Sequence, residues 1–456
     1  MPHQCCLLTI MAILGTFHAP ADGAGSASDR PPNIVFILTD DQGFGDLGCF
    51  GLKTAKTPHI DRLAAEGTRF TDFYVHPVCG PTRSAFLSGR FASRSKGWSM
   101  PASEISFPSL LRERGYATAC FGKWDVSNRR YEEGRVPNDR GFDEYWGPLG
   151  ANDKGNVELW ENRGQIGSDK ELASLSRRYT DKAIAFIERH KERPFFVYLA
   201  HTMMHTVVDA STGFRDRTGN GLYADTLEEL DHETGRLVEA IDRMGIGDNT
   251  LIVFTSDNGP WSNDQERQHA KNATFVPWSK GPEIAWGDAG PLRDGKGSIY
   301  EGGVRVPMIA RWTDRVPAGR DSDAIMHIVD FFPTFARLAG FEVPSDRVMD
   351  GVDQTDLLLG QSEAGGRDSL LYVRGGRPSA VRKGDWKYFA AGKGRGGHYG
   401  EEGSSAPELF NLRTDIGETK NVLADHPEIA AELDALVRAY QPEPGEDRRG
   451  DGSDKP

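Results

Sequence analysis

Two stretches of the chain are apolar without interruption and end in acidic or amide residues. Asn33-Ile34-Val35-Phe36-Ile37-Leu38-Thr39 stops at Asp40-Asp41, and Thr250-Leu251-Ile252-Val253-Phe254-Thr255-Ser256 stops at Asp257-Asn258-Gly259. A continuous, β-branched run of this length fits a strand buried on both faces. Residues 116–121 and 195–200 have the same character, ending before Gly122-Lys123-Trp124 and His201-Thr202-Met203-Met204-His205. Ahead of the second acidic ending, Tyr223, Leu227, Leu230, Leu237, Val238, Ile241 and Met244 recur at helical spacing, and Gly245 supplies a stop. Helix followed by strand is the order of an α/β fold. In open α/β sheets ligands lie beyond the carboxyl ends of the strands, so these polar endings are expected to converge.

Beyond about residue 344 the pattern shortens. Residues 370–374, 379–382 and 386–389 are brief apolar segments separated by turn residues, which predicts a small antiparallel sheet; 426–440 predicts an amphipathic closing helix packed on it. The expected organisation is a signal peptide over 1–24, a main domain over 30–345, a smaller subdomain over 346–440 and a disordered tail over 441–456. The signal rests on an apolar run over 6–17 followed by small residues, too short to cross a bilayer, and it places the protein in the periplasm or outside the cell.

Charge and cysteine content narrow the classes further. A formal net charge of −13 over 456 residues argues against attraction to nucleic acid or an anionic membrane face, so an anionic ligand must be caught locally. With the signal removed, Cys49, Cys79 and Cys120 remain, too few for a disulfide framework; Cys49 and Cys120 are expected as free thiols.

Gly43-Phe44-Gly45-Asp46-Leu47-Gly48 matches the dinucleotide fingerprint, but residues 49–58 have no helical period to present amides to a pyrophosphate. Asp40 and Asp41 would also repel phosphate unless a cation lay between them. Either acidic ending alone reads as a turn. Both together, each directly after a buried strand, supply the oxygen ligands that a hard divalent ion such as Ca²⁺ takes. Cys79 admits a bland reading as a small buried hydrophobe. Against it, Pro81 suits an early helical position and Arg83 lies one turn along the same face, which makes an electropositive helix end beside a nucleophile.

Cys79-Gly80-Pro81-Thr82-Arg83 followed by Leu87-Ser88-Gly89-Arg90 resembles the C-x-P-x-R signature of the type I sulfatases, within the alkaline phosphatase-like superfamily. Thr39-Asp40-Asp41-Gln42-Gly43, Gly122-Lys123-Trp124, Gly141-Phe142-Asp143, Ser256-Asp257-Asn258-Gly259, Gly290-Pro291-Leu292-Arg293, Gly295-Lys296-Gly297, Glu301-Gly302-Gly303-Val304-Arg305-Val306-Pro307, Asp330-Phe331-Phe332-Pro333-Thr334 and Glu408-Leu409-Phe410-Asn411-Leu412 are similar to that family's landmarks, in order. The resemblance implies an α/β/α sandwich with a large mixed sheet and a small C-terminal antiparallel sheet. It implies a sulfuric ester hydrolase, arylsulfatase-like, acting on a sulfated small molecule or glycan.

It also implies that a maturation enzyme oxidises Cys79 to formylglycine. One hydroxyl of the hydrate would attack sulfur and the other would collapse to an aldehyde, expelling sulfate, an exit that a simple sulfated side chain lacks. Asp40, Asp41, Asp257, Asn258 and an oxygen of modified Cys79 would bind one Ca²⁺. Arg83, Lys123 and Lys296 would stabilise charge on the sulfuryl oxygens. His205 would protonate the departing alcohol, with His201 the competing candidate. Trp124 is followed by Asp125 where the family usually has histidine, a departure that bears on turnover. Residues 259–294, with Trp261, Trp278 and Trp286, form a candidate substrate-lining loop. The competing readings are a phosphodiesterase or phosphonate hydrolase of the same superfamily and a catalytically silent sulfate-binding homologue.

Overall fold

The computed structural model describes, besides Met1, residues 30–261, 287–374, 377–392, 395–396 and 403–442. In chain order the strands are β1 (Asn33–Thr39), β2 (Thr68–Tyr74), β3 (Ala117–Gly122), β4 (Glu144–Pro148), β5 (Val157–Glu161), β6 (Gly164–Asp169), β7 (Phe195–Ala200), β8 (Thr250–Ser256), β9 (Arg305–Arg311), β10 (Arg320–Ser322) and β11 (Met326–His327), then β12 (Ser369–Arg374), β13 (Arg377–Lys383), β14 (Trp386–Phe389) and β15 (Glu408–Asn411). The first eleven form one sheet in the order β10-β2-β9-β8-β1-β7-β3-β4-β5-β6, with β11 also pairing β2. β1 pairs in parallel with β7 and β8, and β3 with β7 and β4; β9 runs antiparallel to both β8 and β2. The sheet is therefore mixed, as expected.

Burial of β1 on both faces follows from its sequence. Ile34, Phe36 and Leu38 enter one apolar core with Phe86 of the Cys79–Ser88 helix and Phe331 and Phe335 of the Phe331–Ala339 helix. Val35 and Ile37 enter the other with Tyr179 of the Leu175–His190 helix and Leu227 and Leu230 of the Leu222–Arg243 helix. Alternate residues feeding two helical layers make the α/β/α sandwich. None of the described helices is long and apolar enough to cross a membrane.

The smaller sheet runs β12-β13-β14-β15, antiparallel throughout, with the Pro427–Ala439 helix on it through Leu433 and Ala430. The expected strand at 116–121 is displaced by one residue, because Gly122 keeps the ladder with Ala200. β2, which the apolar pattern does not single out, mixes Thr68, Arg69, Thr71 and Asp72 with its buried aromatics; its polar positions face charged partners, Arg69 on Asp321 and Asp72 on Arg305. The expected signal peptide, most of the expected tail, and Trp278 and Trp286 lie outside the described residues.

A buried ion cluster joins the two sheets. Lys387 of β14 lies 2.8 Å from Glu301 and 2.9 Å from Glu418 and donates to the Ile299 carbonyl, while Glu301 also takes Tyr74, Tyr372 and Arg305. Burial raises the Glu418 carboxyl to about 7, against the pull of Lys387. Its protonated form is the one the fold favours, so that stabilisation is complete below its ordinary value of 4.5 and is lost as pH rises through about 7. Lys387→Met takes a cation from both buried carboxylates, with Glu301 keeping Arg305 and Glu418 losing its ion pair, and is expected to cost ~3–5 kcal/mol near neutrality. The loss should shrink at pH 5, where the stranded carboxylates take up protons. Urea unfolding of both proteins at pH 5 and pH 8 checks this; an equal loss at the two values would contradict it.

Candidate active site

Because β1, β3, β7 and β8 are parallel, their carboxyl ends share one edge of the sheet, and β9 enters from that same edge. The β1 end carries Asp40 and Asp41, the β8 end Asp257 and Asn258, the β3 end Lys123 and the β7 end His201 and His205; the loop before β9 brings Lys296. The structure joins the two acidic endings. The Asp41 amide donates to Asp257 Oδ1 at 3.2 Å, and Asn258 Nδ2 donates to Asp41 Oδ1 at 2.7 Å. Asp41 reaches this position with φ of 59°, a left-handed conformation that aspartate tolerates better than most residues.

Cys79 opens a ten-residue helix behind β2, with extended Val78 as its cap and no side chain occupying the first amides. Gly80 is required there, because a Cβ would sit 2.0 Å from the Trp98 ring. Oxygens of Asp40 and Asp257 and the Cys79 sulfur lie within 4.8 Å of one another, as do ligand atoms of Asp40, Asp41 and His205. Burial pushes the Cys79 thiol up to about 12, so the unmodified residue is a neutral thiol rather than a thiolate.

The cations are threaded between the acids. Lys123 Nζ is 2.6 Å from Asp40 and 3.5 Å from Asp125; Lys296 Nζ is 2.7 Å from Asp41 and 5.2 Å from the centre of the Trp261 ring. Burial opposes ionisation of Asp40, but Lys123, with His205, Arg83 and Lys296, holds its carboxyl well below the usual range. Asp257 moves the other way, raised by its burial and then by the negative charge of Asp40. Arg83, expected at the sulfuryl oxygens, is held here by protein groups. Its Nε and Nη2 donate to Asp257 Oδ2 at 3.0 and 2.7 Å, and its Nη1 to the Lys123 carbonyl and the Tyr198 hydroxyl at 3.1 and 3.3 Å.

These residues fit a hard divalent ion. Asp40 Oδ1 and Asn258 Oδ1 are buried and have no hydrogen-bond partner among the described residues. Among the described residues, the charged groups in mutual contact here are the carboxylates Asp40, Asp41, Asp125, Asp153 and Asp257 and the cations Arg83, Lys123, Arg129 and Lys296. One dication turns that formal excess of one negative charge into one positive charge, suited to a singly charged anion.

The two histidines separate by position. His205 Nε2 lies 3.7 Å from Asp41 and 3.5 Å from Asp153, its Nδ1 contacts the Thr206 carbonyl, and Asn152 Nδ2 donates to its carbonyl at 3.2 Å. Its pKa is lowered by burial and then by Lys296. His201 instead packs on the Tyr179 ring in the core, with burial pushing it down to about 3. Asp125 is fully buried, held by Trp98 Nε1 at 3.1 Å and Arg129 Nε at 2.8 Å. Burial works against its ionisation, and Arg129 followed by Lys123 keeps it ionised. Gly43 and Gly45 hold no nucleotide loop: a Cβ at either would strike the backbone at 288–290, and only a short 3₁₀ turn, Gly48–Phe50, follows.

The sulfatase family model matches residues 32–341, and a model of the N-sulphoglucosamine sulphohydrolase C-terminal region matches residues 294–441. The chain belongs to the sulfatase family. It is 33% identical to N-acetylgalactosamine-6-sulfatase of Canis lupus familiaris, over 87% of this chain and 83% of that protein. It is 30% identical to steryl-sulfatase of Mus musculus, over 96% and 87%. Among solved structures, the PsFucS1 sulfatase from Pseudoalteromonas sp. matches with a TM-score of 0.77 and 26% identity, covering 90% of each chain. The enzyme is a sulfatase, a hydrolase of sulfuric esters. Reasoning from the sequence missed Trp98, Arg129, Asn152 and Asp153 in this sulfatase site. They come from loops without periodicity, and only the cluster of charged residues from Asp125 to Glu133 could have drawn attention to one of them.

Proposed function

We propose that this sulfatase releases sulfate from a monoester on a carbohydrate, using formylglycine generated from Cys79 by a separate maturation enzyme, one Ca²⁺, and export to the periplasm or beyond. The observation that carries this reading is the meeting of Asp40, Asp41, Asp257 and Asn258 beside Cys79 at a helix amino end. The neutral buried thiol supports it too, since it is poorly suited to attack as it stands. The sugar sulfatase named among the relatives supports a sulfated carbohydrate.

Asp40, Asp41, Asp257 and Asn258 would hold the ion with an oxygen of modified residue 79. When bound, it supplies Lewis acidity to the attacking hydroxyl and to the sulfate. Lys123 and Lys296, once Asp40 and Asp41 turn to the ion, offer their ammonium groups to the sulfuryl oxygens. Arg83 fixes Asp257 rather than the substrate. His205 would donate to the departing alcohol oxygen from Nε2 as the imidazolium, its Nδ1 hydrogen held by the Thr206 carbonyl and its charge supported by Asp41 and Asp153 against burial and Lys296, with Asn152 pinning its backbone.

Replacing His205 by glutamine is expected to lower kcat on a sugar sulfate by ~10²–10⁴-fold. The loss on 4-nitrophenyl sulfate should be much smaller, since its leaving group departs without a proton; equal losses on the two substrates would contradict the assignment. The reading as a whole is tested with matured, Ca²⁺-loaded protein on a panel of sulfated mono- and oligosaccharides beside a phosphate diester. Free sulfate from at least one member is expected. No release from any of them, or faster turnover of the phosphate diester, would overturn it.

A further inference from the structure

Between Trp124 and the 130s the chain turns back through three non-glycine residues at positive φ: Asp125 at 59°, Asn128 at 54° and Arg129 at 58°. Aspartate and asparagine tolerate this conformation better than most residues, but for Arg129 it is strained, and such strain persists where the surroundings over-determine it, commonly at functional sites. The effect here is to fold Arg129 over the residue four places before it. Its Nε donates to Asp125 Oδ1 at 2.8 Å and its Nη1 to Asp153 Oδ2 at 2.8 Å.

The two carboxylates have different neighbours in the site. Asp125 is fully buried, shares Trp98 with the Cys79-Gly80 turn, and lies 3.5 Å from Lys123. Asp153, about half exposed, lies 3.5 Å from His205. Lys123 does not neutralise Asp125 by itself: it lies closer to Asp40, at 2.6 Å, and in the ion-loaded site it is assigned to the sulfuryl oxygens. A buried negative charge this close to a site for an anion would repel it.

We propose that Arg129 is a positioning residue which cancels the charge of Asp125 and braces Asp125, beside Trp98 and Lys123, against Asp153, beside His205. The role rests on residue 79 marking the place where sulfate binds. Its guanidinium holds the two carboxylates through two different nitrogens in one rigid plane, a fixed geometry that a flexible ammonium does not reproduce.

The test is titration of the Ca²⁺-loaded full chain with inorganic sulfate, comparing wild type, Arg129→Ala, Asp125→Asn and the double variant. Arg129→Ala is expected to weaken sulfate binding ~10-fold, the scale of one uncompensated charge a few ångströms away. The double variant should return to within about twofold of wild type, because the charge to be cancelled is gone. Binding by Arg129→Ala within about twofold of wild type would overturn the proposal. So would a double variant as weak as Arg129→Ala, the mark of an arginine that touches sulfate itself.

Should Arg129→Ala fail to fold, Arg129→Lys decides. It keeps the charge and loses the span, so sulfate affinity should hold within about threefold while kcat on 4-nitrophenyl sulfate falls ~10–100-fold; unchanged kcat would overturn the bracing role. Sulfate titration needs no turnover. The expected binding pattern without hydrolysis of any ester would sink the hydrolase reading and leave the role of Arg129 standing, whereas a wild type that binds no sulfate would overturn both.

Discussion

Cys79→Ala is expected to reduce sulfate release by at least ~10⁴-fold while leaving the thermal midpoint within a few degrees of wild type. The side chain is small and almost fully buried, and the residue before the helix, Val78, makes no side-chain cap that the change would disturb, so alanine fits without a new void of consequence. Only the reacting group is lost. Cys79→Ser sharpens the result. One hydroxyl can attack sulfur but has no partner oxygen to expel the product, so it should give a single turnover and stall. Steady turnover by either variant would mean that the nucleophile lies elsewhere.

Removal of the divalent ion has the second largest expected effect. Treatment with a strong chelator should abolish activity by ~10³-fold or more, and added Ca²⁺ should restore it, because several kcal/mol of charge stabilisation is withdrawn from the site. The carboxylates of Asp40 and Asp41 would then fall back on Lys123 and Lys296, at the 2.6 and 2.7 Å contacts seen here, and those ammonium groups would be withdrawn from the sulfate as well. Ca²⁺ should restore activity better than Mg²⁺, since this all-oxygen donor set from two separate strands is adaptable where Mg²⁺ demands a strict octahedron. Full activity after exhaustive chelation would contradict the assignment. Asp257→Asn should lose at least ~10²-fold for the same reason. It is a less clean probe, because Arg83 depends on that carboxylate for two of its hydrogen bonds.

Much of this was legible in the order of residues. β1 and β8 could be read because each is buried on both faces and therefore uniformly apolar, and the meeting of Asp40-Asp41 with Asp257-Asn258 followed from the geometry of parallel strands. The start of the helix at Cys79 could be read from Pro81 and the family signature.

What could not be read has physical causes. β2 mixes polar and apolar residues because its charged positions pair across the structure, as Asp72 does with Arg305, so no period marks it. Arg83 has the spacing of an anion ligand, and nothing local reveals that Asp257, 174 residues away, takes its guanidinium. Asp125 shows in sequence only as a departure from the family's usual histidine; its neutralising partner reaches it through a left-handed turn rather than along a helix face. Asp153 comes from a loop whose position only the assembled sheet determines.

The chemistry at residue 79 is what the whole account turns on, and its most direct test is the mass of the peptide containing that residue, isolated from the protein made in its own host. The account predicts the mass change in which one sulfur and two hydrogens are replaced by one oxygen, the conversion of cysteine to formylglycine. A peptide of unmodified cysteine mass, from protein that is active on a sulfate ester, would contradict it.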